Sequence, residues 1–155
     1  VILLTLQERL YNDMKEALKA RQPGKKRLSV IRLARASLKD RAIAQGRELT
    51  EQDVLDVLGK EVRMRRDAIQ EYARLNRMDV VAELESEIAI LEEYLPRQLS
   101  RKEIETLARQ AIAATGATDL RQIGSVMGVL MPQVKGRADG KVVQEVVRSL
   151  ISPQG

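Results

Sequence analysis

Apolar residues recur every third or fourth position along most of this chain, and nowhere do they alternate as a strand requires. That period points to an all-α fold, because residues three and four apart share a helix face. Thr5-Leu-Gln-Glu8 has capping-box form, with a hydroxyl and a carboxylate placed to satisfy orphan amides at a helix start. Leu6, Leu10, Met14 and Leu18 then recur every four residues, in a helix that ends near Gln22-Pro23-Gly24. A second helix runs from about Lys26 to Gln45 and stops at Gly46. Its Leu28, Val30, Ile31, Leu33 and Leu38 lie on more than one side, which predicts a helix sandwiched between others. Thr50 is expected to cap a third helix with an inner stripe of Val54, Leu58, Val62, Ile69 and Tyr72. Arg65 falls inside that stripe, where a carboxylate or a gap in the packing must meet it. A fourth helix, about Asp79 to Leu95, lines one face with Val80, Leu84, Ile88, Leu91 and Leu95.

Pro96 breaks the pattern, and Pro-Arg-Gln-Leu-Ser reads as a hinge. The expected organisation is an N-terminal four-helix domain over 1–95 and a three-helix tail domain over 96–155. Ser100-Arg-Lys-Glu103 is a second capping box, opening a helix that closes at Thr115-Gly116. Thr118 or Asp119 begins the sixth helix. Asp139 is placed to cap the seventh, whose Val142, Val143, Val146, Val147, Leu150 and Ile151 form a broad apolar face.

The residues that are missing restrict the chemistry. The chain has no His and no Cys, which excludes the usual zinc sites, Ser-His triads and thiol nucleophiles. Only carboxylates remain as metal ligands, and no EF-hand spacing occurs. No catalytic residue, metal or cofactor is therefore expected. Tyr11, Tyr72 and Tyr94 are the only aromatics, too few for a base-stacking platform. The opening VILLTL is short for a signal peptide, and no run approaches the roughly 18 apolar residues of a membrane span. The expectation is a cytoplasmic protein that engages no membrane.

Four of the nine glycines fall in IGSVMGVLMPQVKGRADGK, residues 123–141. A Walker loop needs Gly, four residues, then Gly-Lys-Ser/Thr. Gly136-Arg-Ala-Asp-Gly140-Lys141 is one residue short, Val142 stands where the hydroxyl would be, and no strand precedes it. A nucleotide loop is rejected. Gly124 and Gly128 share a helix face beside Leu120, Met127 and Met131. Glycine costs a helix about 1 kcal/mol relative to alanine, so two of them imply a close approach. Either a neighbouring helix packs on the bare backbone, or the flat surface admits a bulky partner such as an RNA backbone. Lys135 extrapolates to nearly the same azimuth, though Pro132 threatens to kink or end the helix first. Lys135, Arg137 and Lys141 surround two glycines at the start of the seventh helix, where free amides also favour anions.

Charge is unevenly placed. Residues 15–47 hold eleven Lys and Arg against two carboxylates, residues 48–95 six against thirteen, and residues 96–155 nine against five. Mutual complementation between the basic second helix and the acidic third and fourth is one reading. An anion-binding face of Arg32, Arg35 and Lys39 is the other.

RLSVIRLARASLKD at 27–40, EYLPRQLS at 93–100 and IGSVMGVLMPQVKGRADGKVV at 123–143 resemble the bacterial YqeY family, and the likeness extends over nearly the whole chain. That family is similar, in its C-terminal part, to the tail domain of the B subunit of glutamine-dependent aspartyl/glutamyl-tRNA amidotransferase. The resemblance implies an all-helical, two-domain protein whose tail belongs to a tRNA-contacting module. It maps onto Gly124, Gly128, Lys135, Gly136, Arg137 and Ala138, while Asp139-Gly140 departs from the Asn-Pro pair common in those tails. A label of carbon-nitrogen ligase with glutamine as amide donor would be inherited from the tail, since the subunit's kinase-like catalytic part has no counterpart here. Three functions stand as expectations. The first is a non-catalytic tRNA-associated module using Gly124, Gly128, Lys135, Gly136, Arg137 and Lys141. The second is an accessory component partnered with an amidotransferase or synthetase subunit, and the third a helical adaptor that binds no RNA.

Overall fold

The computed structural model describes residues 3–151, and among these it contains seven α-helices and no strand. Helix α1 spans Leu6–Lys19 and is followed by a single 3-10 turn at Gln22–Gly24. Helix α2 spans Lys25–Gln45, α3 spans Glu51–Arg74, and α4 spans Met78–Glu92. After Pro96 come α5, Arg101–Thr115, a 3-10 turn at Leu120–Gln122, α6, Ile123–Val134, and α7, Gly140–Ile151. Contacts divide the chain into two compact units that meet between Leu95 and Pro96.

Local chemistry sets the helix ends. Ser100 and Glu103 exchange side chain and backbone in a full capping box, as do Thr50 and Asp53. Thr5 forms only half of one: its hydroxyl accepts the Glu8 amide at 3.1 Å, while the Glu8 carboxylate takes the Thr5 hydroxyl. Helices α2 and α5 stop at Gly46 and Gly116, both left-handed at φ 68° and 69°.

In the first unit α2 packs on α1, α3 and α4, the sandwiched position its apolar distribution predicts. Leu10, Ile31, Leu58 and Leu91 are fully buried at its centre. Leu18 and Leu33, expected inside, are exposed. A four-residue step overshoots the helix turn by about 40°, so the stripe that starts at Leu6 has rotated about 120° by Leu18. Ala17 lies inside instead. Tyr72 shares the azimuth of Val54 but lies in the last turn of α3 and is exposed there, and the inner face of α4 falls on Val81, Ile88 and Leu91.

Arg65 meets carboxylates. Its guanidinium donates to Glu61 Oε2 and Glu87 Oε1, each at 2.9 Å, and Ser37 donates to Glu61 Oε1 at 2.7 Å. Tyr94 closes the unit from its C-terminal end. Its ring is buried beneath the Arg9 guanidinium, 4.9 Å away, and its hydroxyl donates to Asp13. Burial, and next the Asp13 carboxylate, push the Tyr94 phenol well above its usual range. Complementation between α2 and the acidic helices is real for Lys26 with Glu83, at 3.0 Å, and for Arg27 with Glu93, at 2.9 Å.

The tail unit is a three-helix cluster in which α5, α6 and α7 all touch one another. Ile104, Ala108, Val126, Leu130, Val134, Val143, Val146 and Val147 fill its core. Val142 and Leu150, expected in the broad face of α7, are half-buried at its margins.

Candidate nucleic-acid interface

Helix α6 turns Val126, Leu130 and Val134 inward at four-residue spacing, and this leaves Gly124 and Gly128 on the outside. A Cβ built at either glycine meets nothing within 4 Å. Among the described residues of the tail unit, the close packing of a neighbouring helix, one of the two explanations for these glycines, is therefore absent. The face is bare backbone bordered by Ser125, Val129, Pro132 and Gln133, with no charge on α6 at all. Met127 and Met131 are partly buried against the tail core, and Leu120 is exposed ahead of the helix.

Pro132 does not end α6, which continues two residues further, to Val134. It does remove a donor: the amide that would bond the Gly128 carbonyl, four residues back, does not exist. The exposed face thus carries a backbone acceptor lacking its helical partner. Lys135 is the first residue off the helix, with ψ 129°, so the extrapolated azimuth does not carry over to it. It lies one turn past Met131, whose carbonyl accepts its amide at 2.9 Å.

The turn itself is clamped. Gly136 has φ 77°, a left-handed conformation that glycine adopts without penalty. Its carbonyl accepts Gln98 Nε2 at 3.1 Å, the Arg137 carbonyl accepts the Leu99 amide at 2.8 Å, and Arg137 Nε donates to the Arg97 carbonyl at 3.3 Å. Segment 97–99, read from sequence as hinge, is a structural partner of the basic turn. Nothing in its sequence signalled this, because the partners lie about forty positions away. Glu103 fixes the segment from the other side, accepting Arg97 Nη1 at 3.0 Å and Nη2 at 2.9 Å. The Arg97 pair, and next the Ser100 amide, hold the Glu103 carboxyl down at about 2.

Two expected anion contacts change in kind. Arg137 is half-buried and commits Nε to a carbonyl, so only the far edge of its guanidinium is available outward. The start of α7 is not an open amide cradle either. Asp139 accepts the Lys141 amide at 2.9 Å through its side chain and the Val143 amide at 3.0 Å through its carbonyl. The cap already places a negative group there, as a helix N-terminus favours. Lys135 is exposed and has no carboxylate within ion-pair distance among the described residues. Lys141 is exposed one residue inside α7. Among the described residues no group of carboxylates is arranged to hold a metal ion, and no helix is long and apolar enough to cross a membrane.

These features define a class: a wholly helical chain in two units, whose tail carries a glycine-faced helix running into a clamped basic turn. Residues 7–151 match the family described as Yqey-like protein, and the chain belongs to that family. It is 31% identical over 156 aligned positions to "Altered inheritance of mitochondria protein 41, mitochondrial" of Kluyveromyces lactis, covering 94% of this chain and 79% of that one. The protein of the same name from Lachancea thermotolerans is 37% identical over 87 positions, which is 56% of this chain and 46% of the relative. The chain thus spans less than half the length of that relative. Both relatives are described as mitochondrial.

Proposed function

We propose that this chain is a cytoplasmic, non-catalytic tRNA-associated binding module, with the tail unit as its RNA-contacting surface. One observation carries the reading: the α6 face bearing Gly124 and Gly128 stands open beside a rigid turn whose Lys135 has no carboxylate partner among the described residues. An uncharged backbone surface admits a sugar-phosphate chain closely, and RNA duplexes are recognised by shape, phosphate and 2′-hydroxyl contacts. A 2′-hydroxyl is a fitting donor for the Gly128 carbonyl, because it both donates and accepts. Lys135 and Lys141 supply phosphate contacts, Gly136 shapes the turn, and Arg137 adds the outer edge of its guanidinium. The similarity of this block to amidotransferase tails supports tRNA as the RNA concerned.

The test is the affinity of the full chain for bulk tRNA across a salt series, compared with Lys135→Ala/Arg137→Ala/Lys141→Ala. Each lost phosphate contact flattens the slope of log affinity against log salt by about 0.7–0.9, so the triple variant is expected to lose roughly two units, with a small fall in melting temperature from loss of the bond between Arg137 and the Arg97 carbonyl. An unchanged slope assigns these charges to solubility and removes the reading. Recovery of an amidase or synthetase subunit without RNA would favour the accessory-component function, and recovery of another protein alone the adaptor.

A further inference from the structure

Charge pairing in the first unit is partial. Lys19, Lys26, Arg27, Arg47, Arg65, Arg66, Arg74 and Arg77 each lie within 4.0 Å of a carboxylate. Among the described residues Arg32, Arg35 and Lys39 do not, and neither do Arg9, Lys15, Arg21, Lys25, Arg41, Lys60 and Arg63; what sets the first three apart is that they line one groove. These three are spaced three and four apart on α2, so they share one face over about 10 Å of helix. The fold sets that face along a groove of about 680 Å3 between α1 and α2, with Gln7 and Met14 on the opposite side.

From this row of three cations along a groove lined by no carboxylate we infer that the α1–α2 groove is a second phosphate-binding surface, which takes the backbone of an RNA. The inference rests on the proposed function only for the identity of the polyanion; the cations are independent of the tail. Arg35 is already oriented. Its guanidinium carbon lies 5.1 Å from the Tyr11 ring centre, and its Nη1 lies 3.1 Å from the Met14 sulfur. Lys15 Nζ stands 4.7 Å from the same ring and adds a fourth cation nearby. The nearest acids in sequence are directed elsewhere. Glu16 pairs with Lys19, and Asp40 is turned about 100° around α2 from Lys39.

The alternative occupant, an acidic amphipathic helix, fits less well. The groove floor is Leu10 and Leu38, which are only 1% and 3% exposed, so an apolar partner face would find little to bury. Guanidinium forks and an ammonium in a row match consecutive phosphates without needing apolar contact.

The experiment uses the full chain and bulk tRNA in about 50–200 mM salt, the range over which such contacts are lost. It compares the unaltered protein, Arg32→Gln/Arg35→Gln/Lys39→Gln, and the tail variant Lys135→Ala/Arg137→Ala/Lys141→Ala. Glutamine keeps a polar stem of similar reach, and circular dichroism melting checks the fold. The groove variant is expected to flatten the salt slope by roughly two units, about 0.7–0.9 per contact, and to weaken binding at least tenfold at low salt. A groove variant that matches the unaltered protein overturns this inference and leaves the tail reading standing. Loss confined to the groove variant, with the tail variant unchanged, upholds the groove and removes the tail. No tRNA binding by the unaltered chain overturns both, as does capture of an acidic protein that the groove variant alone fails to bind.

Discussion

A Cβ at Gly24 would stand 2.1 Å from the Ala17 carbonyl oxygen, so the turn between α1 and α2 closes backbone against backbone. Gly24 and Ala17 are both buried at this point. Gly24→Ala is expected to cost about 2–3 kcal/mol, because the clash is with main chain and relief requires moving a helix. Urea denaturation reads this as a lower midpoint at unchanged slope. A cost below about 0.5 kcal/mol would mean the turn opens freely.

Gly128 should behave in the opposite way. It is helical with open space above it, so Gly128→Ala is expected to gain about 0.5–1 kcal/mol. Gly128→Leu should leave the melting temperature nearly unchanged while weakening tRNA binding, if RNA lies on that face. Loss of stability in Gly128→Leu would reveal a contact that the open face does not contain.

Arg65 holds together two carboxylates whose side chains are only 15% and 22% exposed. Arg65→Ala is expected to destabilise by about 3–5 kcal/mol, since Glu61 and Glu87 are left facing one another away from water. Adding Glu61→Gln and Glu87→Gln to that variant should restore part of the loss. If the triple variant is no better than the single one, packing by the arginine stem is the dominant contribution.

Acid should release the clamp on segment 97–99. The Glu103 carboxyl is depressed from its ordinary 4.5 to about 2, by the Arg97 pair first. A depressed carboxyl contributes stability that is fully present above about pH 4.5 and is lost as pH falls toward 2. Melting curves of the unaltered protein and Glu103→Gln should therefore differ at neutral pH and converge near pH 2. A constant offset at every pH would show that Glu103 acts by capping geometry and not by its charge.

Trypsin should probe the same clamp. Cleavage after Arg97 is expected to be slow in the native protein, because residues 97–99 bond to the turn at 136–137. Gln98→Ala removes the bonds to the Pro96 and Gly136 carbonyls and should speed that cut several-fold.

Helix number, helix order and most helix ends were legible in the sequence, because capping and termination are local chemistry. Thr50 with Asp53, Ser100 with Glu103 and Gly46 act within a few residues of themselves. Arg65 was legible as a problem: its place in an apolar stripe demanded a partner, and two carboxylates supply it. The family was legible in three blocks of residues.

Which face of each helix meets water was decided only by tertiary structure. Helix periodicity fixes the angles between side chains on one helix, while the neighbours' positions fix which angle is inside. Hence Leu18 and Leu33 are exposed, and the glycine pair in α6 stands open while the close approach falls at Gly24. Long-range pairing was equally hidden. Segment 97–99 reaches the turn at 136–137, and Arg32, Arg35 and Lys39 line a groove without carboxylates, because packing brings together residues whose sequence separation carries no signal of contact.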